Sequence, residues 1–247
     1  QKPFLLVLAF NAPHTPIQAP KDRIAALASI SDPDRRVYAA MIAELDDGIG
    51  RVLKALDDNG TAGRTLVSFC GDNGGPINVP GVSNAPLRGG KGSTYTEGCV
   101  RVPFVLRFPG KLPAGIVRQQ VVSALDLTPM LLAAAGAPAD PILDGVDVLP
   151  ALANDTPVPE RPLFWRQKTR EKTTGALRTA DRKLLLSRTA EGNSVQLYDP
   201  AADPGEANNL AAAEPERTAA LLAQWEAWST RMRDPAFAPL GSDKKKP

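Results

Sequence analysis

The chain has one histidine, and that residue is its natural candidate for a general acid or base. His14 is the only histidine among 247 residues, and imidazole is the side chain whose ordinary pKa lies closest to neutrality. A lone histidine is often structural. The loop Asn11–Pro16, however, directly follows the apolar run Phe4–Phe10 and contains two prolines that make it rigid. This position at the end of a predicted strand favours a catalytic role.

A carboxylate and an amide stand side by side after the next apolar run. Asp72 and Asn73 follow Thr65–Cys70 and are flanked by glycines, which let the backbone approach a ligand closely. Oxygen donors of this kind suit Ca²⁺ or Mg²⁺, although Asp-Asn-Gly is also a favourable β-turn sequence. Because Ca²⁺ takes about six to eight oxygen ligands, further ligands must come from other segments.

A third segment, Leu87–Gly92, contains two cations among glycines. The glycines on both sides of Lys91 allow its ammonium group to reach an anion in a cleft. The segment is not a nucleotide-binding P-loop, because it lacks the spacer of that motif and the Ser or Thr that follows the lysine. The alternative for Lys91 is an ordinary surface lysine.

Composition excludes several other classes of function. One histidine and two cysteines cannot form the common zinc sites, so any metal must be bound mainly by oxygen. A net charge of +2 and an aromatic content of 5% give little support to nucleic-acid binding. The longest apolar run, Phe4–Phe10, is far shorter than the roughly 20 residues of a spanning helix, so we expect no membrane span.

The spacing of apolar residues predicts an α/β fold for residues 1–155. Phe4–Phe10 is continuously apolar, as in a strand buried on both faces of a largely parallel sheet. Apolar residues recur every three or four positions over residues 34–58 and predict an amphipathic helix, and Thr65–Cys70 predicts a second strand. Strand, helix and strand predict a right-handed crossover in a parallel sheet sandwiched by helices. Both candidate loops would then follow the carboxyl ends of strands, where ligands bind in such sheets.

The pattern changes after the proline-rich residues 155–162. Four short segments separated by turns predict an antiparallel meander, and residues 215–232 have the apolar spacing of a helix. The predicted strands are 163–166, 176–179, 183–187 and 195–198, and the preceding part adds a strand at 100–108 and a helix at 128–136. We therefore predict a small antiparallel sheet-plus-helix subdomain over residues 156–247.

Three strings follow one another along the chain. They are Phe4–Pro16 (FLLVLAFNAPHTP), Gly71–Gly75 (GDNGG) and Leu87–Tyr95 (LRGGKGSTY) with Val100–Pro103. Their order and spacing resemble the type I sulfatases, which have the alkaline phosphatase-like fold. Later stretches match as well: Leu125–Pro129, Asp144–Asp147 and Leu197–Pro200. The resemblance covers nearly the whole chain and implies hydrolysis of sulfate esters of carbohydrate or aryl alcohols.

The resemblance implies a role for each candidate residue. His14 is similar to the histidine that protonates the leaving alcohol, and Lys91 to the lysine that binds the sulfate and the leaving oxygen. Arg88, in the same motif, is expected to take part in substrate binding. Asp72 and Asn73 resemble two ligands of the family's Ca²⁺. The chemistry agrees, because a cation and a positioned proton donor stabilise the charge that develops on the leaving oxygen.

The family's nucleophile is a formylglycine, made from Cys or Ser in a Cys/Ser-x-Pro-x-Arg motif that precedes the histidine loop together with two further Asp ligands. Ser31–Arg35 (SDPDR) fits the five-residue pattern, but it follows His14, and we interpret it as a helix start. We therefore expect this chain to be the downstream part of a longer polypeptide and inactive alone. The motif also departs from the family at Tyr95–Cys99 (YTEGC), which has an extra residue and a cysteine in place of glycine.

The resemblance further implies a sulfated small molecule or saccharide as the partner and a periplasmic or extracellular location. Two alternatives stay open. One is a phosphodiesterase or phosphonate hydrolase of the same fold. The other is a non-catalytic Ca²⁺-dependent binding protein, or a degenerate relative that has lost its nucleophile.

Overall fold

The apolar spacing over residues 34–58 forms a long helix in the structure, a computed structural model that describes residues 3–236. The helix is Pro33–Asp58, with Pro33 in its first turn. It begins where the Asp32 carboxylate accepts a hydrogen bond of 2.9 Å from the backbone N–H of Arg35. Both the predicted helix and the predicted helix start are confirmed.

The described residues form two compact units. The first contains the residues up to Asp72, Pro76–Ser83 and Pro103–Val158, and the second contains Asn73–Gly75, Asn84–Val102 and the residues from Pro159 onward. The helices are α1 (Lys21–Ala26), α2 (Pro33–Asp58), α3 (Glu97–Val100), α4 (Leu127–Ala134), α5 (Leu149–Asn154) and α6 (Pro215–Ser229). The strands are β1 (Val67–Cys70), β2 (Phe104–Arg107), β3 (Leu163–Lys168), β4 (Lys172–Arg178), β5 (Lys183–Thr189) and β6 (Gly192–Tyr198).

The prediction of a buried strand at Phe4–Phe10 is wrong for the structure as described. The segment has no strand assignment, and its six large apolar side chains are 46–78% exposed. An apolar run forms a strand only where another strand completes its backbone hydrogen bonds. Among residues 3–236, no strand is paired with this segment.

The prediction of a parallel crossover is not confirmed either. The second predicted strand exists as β1, but it pairs with β2 in an antiparallel two-stranded sheet, from Val67 opposite Arg107 to Cys70 opposite Phe104. A parallel pair on either side of α2 requires a strand at Phe4–Phe10, which the structure lacks. Pro103 lies just before β2, a position at which proline is tolerated although it cannot donate to the ladder. Its carbonyl still accepts from the Gly71 N–H at 3.1 Å.

A buried carboxylate organises the remainder of the first unit. Asp126 accepts hydrogen bonds from the backbone N–H groups of Ser123 (2.8 Å) and Val146 (3.0 Å), so it joins the turn before α4 to a segment that follows α4. The predicted helix at 128–136 is confirmed as α4. Buried apolar residues pack around it: Met130, Val148 and Leu152.

The antiparallel meander is confirmed. Strands β3, β4, β5 and β6 pair in sequence order, with Leu177 opposite Leu184 and Leu184 opposite Leu197. We call the surface of this sheet that packs on α6 the helix face, formed by Leu177, Leu184, Leu186 and Leu197. On that face Trp225 of α6 lies against the backbone of Gly175, where an added Cβ would stand 2.3 Å from the indole ring. The indole Nε1–H donates to the carbonyl of Trp165 at 3.0 Å.

The opposite surface of the same sheet is also covered. We call it the loop face, because Ala176, Leu185 and Tyr198 pack there with Tyr95, which belongs to the segment Asn84–Val102. Antiparallel sheets commonly leave one face to solvent. Here the continuous apolar run of β5 serves both faces, so the C-terminal sheet holds α6 on one side and part of the motif-bearing segment on the other.

Over residues 3–236, no helix is long and apolar enough to cross a membrane. The predicted boundary between residues 155 and 156 stays a prediction.

Candidate functional site

His14 lies in a bend, and its ring orientation is set by its neighbour. The side chain is exposed, the backbone N–H donates to the Asn11 carbonyl at 2.8 Å, and ring Nδ1 is 2.9 Å from the Thr15 carbonyl oxygen. Because a carbonyl only accepts, Nδ1 must carry the hydrogen in this contact. If His14 has the predicted catalytic role, the ring atom that exchanges a proton is then Nε2.

Asp72 and Asn73 lie in the turn that follows β1. Asp72 is exposed and Asn73 is half-buried, and the Asn73 amide nitrogen donates to the Gly74 carbonyl at 3.1 Å. A carboxylate and an amide oxygen are donors of the type that Ca²⁺ prefers, so both residues fit the ion by chemistry. Within residues 3–236, no cluster of three or more His, Cys, Asp or Glu is arranged to hold a metal.

Asn84 organises the surroundings of this turn in the second unit. Its side chain accepts from the Gly75 N–H (2.9 Å) and donates to the carbonyls of Gly75 (2.7 Å) and Gly89 (3.0 Å). The Lys91 N–H also donates to the Gly75 carbonyl, at 3.2 Å. The residues after Asp72 and the segment around Lys91 are therefore joined by a backbone hydrogen bond and by the Asn84 side chain. Sequence reasoning missed Asn84, because one asparagine in a loop rich in Gly, Asn and Pro carries no signal.

Glycines allow three backbone segments to cross at this point. A Cβ at Gly74 would stand 1.7 Å from the Gly98 carbonyl oxygen, and a Cβ at Gly98 would stand 2.4 Å from the Gly89 carbonyl oxygen. Contacts this short exclude any side chain. The absence of side chains at these glycines thus allows the turn after β1, the segment around Lys91 and α3 to lie close together.

Lys91 is exposed on what we call the lysine loop, residues 88–98. The turn around it is closed by Ser93, whose N–H donates to the Gly90 carbonyl (2.8 Å) and whose hydroxyl accepts from the Gly90 N–H (3.1 Å). Tyr95 has a positive φ of 55°, and α3 starts two residues later. Burial raises the pKa of the Tyr95 phenol, in keeping with the packing of its ring on the loop face.

Arg88 contacts the C-terminal sheet. Its Nε donates to a carboxylate oxygen of Glu206 at 3.1 Å and its Nη1 to the Tyr198 hydroxyl at 3.1 Å. The guanidinium carbon also lies 4.8 Å from the centre of the Tyr198 ring, a cation–π distance. The predicted role of Arg88 in substrate binding stays a prediction.

Sequence reasoning missed a buried ionic cluster beneath the lysine loop. Lys183, at the start of β5, is fully buried, with its Nζ 2.8 Å from Glu97 Oε1 and 3.1 Å from Glu206 Oε1. From sequence alone, a lysine at the end of a strand is expected to be a surface residue. Lys183, however, lies on the same side of its strand as Leu185. That two-residue spacing is the one signal that could have found it.

The predicted site residues are distributed over both compact units. His14 and Asp72 belong to the first, and Asn73, Arg88 and Lys91 to the second. The structure brings the Asn73 turn and the lysine loop together within the second unit. The roles assigned to these five residues stay predictions.

Comparison with known proteins defines the class. The Sulfatase family profile matches residues 1–137, and the profile for the C-terminal region of N-sulphoglucosamine sulphohydrolase matches residues 91–228. The chain belongs to the sulfatase family.

Individual relatives of the chain are also named sulfatases. The chain is 38% identical over 168 residues to N-acetylgalactosamine-6-sulfatase of Sus scrofa, covering 66% of this chain and 31% of the relative. It is 32% identical to a sulfatase of Formosa agariphila, covering 90% of this chain and 44% of the relative. The crystal structure of Ps i-CgsB superposes with a TM-score of 0.86 at 33% identity, covering 94% of this chain and 51% of that one. The chain thus spans about a third to a half of the length of these relatives.

Proposed function

We propose that the protein containing this chain hydrolyses sulfate esters of a carbohydrate, releasing sulfate and the free hydroxyl. The observation that carries the proposal is the pair of sulfatase profiles, which together run through residues 1–228 and overlap on the segment that begins at Lys91. A carbohydrate substrate is supported by two relatives. One is named N-acetylgalactosamine-6-sulfatase, and Ps i-CgsB, 32% identical in this comparison, was crystallised with k-i-k-neocarrahexaose.

In this proposal His14 and Lys91 act on the leaving oxygen. His14 Nε2 gives its proton to that oxygen as the sulfur–oxygen bond breaks, while Nδ1 remains hydrogen-bonded to the Thr15 carbonyl. The Lys91 ammonium group binds the sulfate and the leaving oxygen. Both groups act where negative charge increases during the reaction, so they stabilise the transition state more than the substrate.

We assign Asp72 and Asn73 as ligands of Ca²⁺. Their adjacent carboxylate and amide oxygens support the assignment by donor type. The bound ion would supply positive charge against the sulfate oxygens. Since two side chains are too few for Ca²⁺, the remaining ligands are expected from water or from other parts of the protein.

The nucleophile is not assigned to Ser31–Arg35, despite its fit to the formylglycine motif. In this segment Asp32 caps α2 and Arg36 donates to the carbonyls of Ile30 (2.7 Å) and Ser31 (3.3 Å). These contacts give the segment a complete structural explanation as a helix start. From the resemblance we expect the nucleophile before the histidine loop.

The test uses the full-length protein and matched substrates. Purified enzyme is incubated with k-i-k-neocarrahexaose, with 4-nitrophenyl sulfate and with bis(4-nitrophenyl) phosphate. Released sulfate is measured by ion chromatography and released 4-nitrophenol by its absorbance. The proposal expects the sulfate ester to be hydrolysed faster than the phosphodiester. Faster hydrolysis of the phosphodiester would favour a phosphodiesterase or phosphonate hydrolase, and binding without turnover would favour a non-catalytic protein. A periplasmic or extracellular location is part of the proposal, and cell fractionation tests it.

A further inference from the structure

Both ends of the lysine loop meet at one buried carboxylate. The loop is closed at its neck by the Gly98 N–H, which donates to the Arg88 carbonyl at 2.9 Å. Below this neck, one oxygen of Glu206 accepts from the Arg88 side chain (3.1 Å) and from the Glu97 backbone N–H (3.0 Å). A single side-chain atom of the C-terminal subdomain therefore bonds to residues at the beginning and at the end of the loop that carries Lys91.

Glu206 occupies an unfavourable position for an ordinary glutamate. Its side chain is fully buried, and its φ of 49° lies in the left-handed region, which non-glycine residues rarely adopt. Burying a carboxylate is costly unless hydrogen bonds or opposite charges compensate it. Here Lys183 supplies one, at 3.1 Å from the second Glu206 oxygen, and Lys183 is itself balanced by Glu97. Strain and a buried charge at one residue indicate a position maintained by its surroundings.

We propose that Glu206 is a positioning residue for Lys91. By fixing both ends of the lysine loop to the loop face of the C-terminal sheet, it limits the positions that the Lys91 ammonium group can take. Arg88 takes part in this clamp through Glu206 and Tyr198. The catalytic contribution of Lys91 follows from the proposed sulfatase function on which this inference rests, but the clamp itself is a property of the loop and can be measured without substrate.

The experiment compares two glutamate variants of the full-length protein. Glu206→Gln removes the charge at the neck of the loop. Glu214→Gln is the matched control, because Glu214 lies in the same subdomain and pairs with Arg182 (3.0 and 2.9 Å). Hydrogen exchange of peptides covering residues 88–98 is followed by mass spectrometry, together with kcat and KM on a sulfate ester. Glu206→Gln should raise exchange in the loop and lower kcat/KM by about tenfold or more, whereas the control should leave both at wild-type values.

The outcomes separate the clamp from the proposed function. Unchanged loop exchange in Glu206→Gln overturns the inference, as does faster exchange with unchanged kcat/KM. A wild-type protein that hydrolyses no sulfate ester contradicts the proposed function, and the exchange measurement then decides on the clamp alone. If Glu206→Gln does not fold, Glu206→Asp replaces it, because it keeps the carboxylate charge near Lys183 but is one methylene shorter than the side chain that bonds to Arg88 and to the Glu97 N–H. Faster loop exchange is again expected, and unchanged exchange in that variant overturns the inference.

Discussion

At His14 the chemistry depends on which ring nitrogen carries the proton. With Nδ1 bonded to the Thr15 carbonyl, the proposed proton transfer uses Nε2, and the exposed side chain contributes little to the packed core. A variant at this position is therefore expected to separate activity from stability.

The first prediction concerns His14→Ala in the full-length protein. Loss of a general acid should lower kcat by on the order of 10²–10⁴-fold, while the thermal unfolding temperature stays at its wild-type value. Steady-state kinetics and a melting curve on the same preparation measure both. An unchanged kcat would remove His14 from the proton-donor role.

The second prediction concerns Lys91→Ala. Removing a cation from the leaving oxygen should lower kcat/KM by about 10²–10³-fold, as does loss of one oxyanion donor elsewhere. Lys111→Ala is the control, since Lys111 is also an exposed lysine in a turn. Equal activity of the two variants would mean that Lys91 is an ordinary surface lysine with no role in the reaction.

Motifs in the sequence could identify residues whose chemistry is visible in their type. His14, Asp72 and Lys91 are of this kind. Glu206, Lys183 and Asn84 are not, because their importance comes from partners that are distant in sequence. Arg88 belongs partly to each group. The sequence identified the motif that contains it, but could not predict its contact with Glu206, 118 positions away.

At the scale of elements, local patterns were reliable where an element completes its own hydrogen bonds or pairs with its sequence neighbour. Helix α2 and the meander β3–β6 agree with the prediction for this reason. Phe4–Phe10 and the parallel sheet do not, because a strand requires a partner that its own sequence does not specify. The packing of the segment Asn84–Val102 on the loop face was also missed. The sequence of an antiparallel strand does not show which segment covers it.

The third prediction tests the packing of α6 on the helix face. Gly175→Ala should destabilise the second unit by about 1–3 kcal/mol, the usual effect of overpacking, because the new methyl group would overlap the Trp225 indole. Gly50→Ala in α2 is the control: nothing lies within 4 Å of a Cβ there, so alanine should be neutral or stabilising. Chemical denaturation of both variants measures the difference. Equal stability would mean that the ring can move away.

At the scale of the whole molecule, carboxylates in the turns of the second unit link stability to pH. The pKa of Asp199 lies below its ordinary value because its carboxylate accepts the backbone N–H groups of Ala202 and Ala201 and faces Arg182. A carboxyl group with a lowered pKa in the folded state stabilises the protein above its unfolded-state pKa. That stability is lost as the pH falls through the folded-state value.

The fourth prediction follows from this sign. The melting temperature of wild-type protein should fall as the pH is lowered from about 5 to about 2. The melting temperature of Asp199→Asn should be lower at neutral pH but should fall less over the same range. Differential scanning calorimetry across the pH range measures both curves. Parallel curves for wild type and variant would exclude Asp199 as a contributor.

The fifth prediction concerns Ca²⁺. Adding CaCl₂ to chelator-treated full-length protein should raise the melting temperature, because ligand at about 100 times its Kd stabilises the folded state by about 2.7 kcal/mol. Asp72→Asn should lose most of this increase. An equal increase in the variant would place the ion elsewhere.

The packing of Trp225 against Gly175 also has a spectroscopic consequence. The sequence contains three tryptophans, Trp165, Trp225 and Trp228, and all of them lie in the second unit. Trp225 is buried and the other two are half-buried, so the emission maximum of residues 1–247 should move to longer wavelength when this unit opens. Tryptophan fluorescence of this chain will therefore report on the second unit alone, whereas the far-ultraviolet circular dichroism also includes α2. A difference between the two signals during denaturation would give the order in which the two units lose structure.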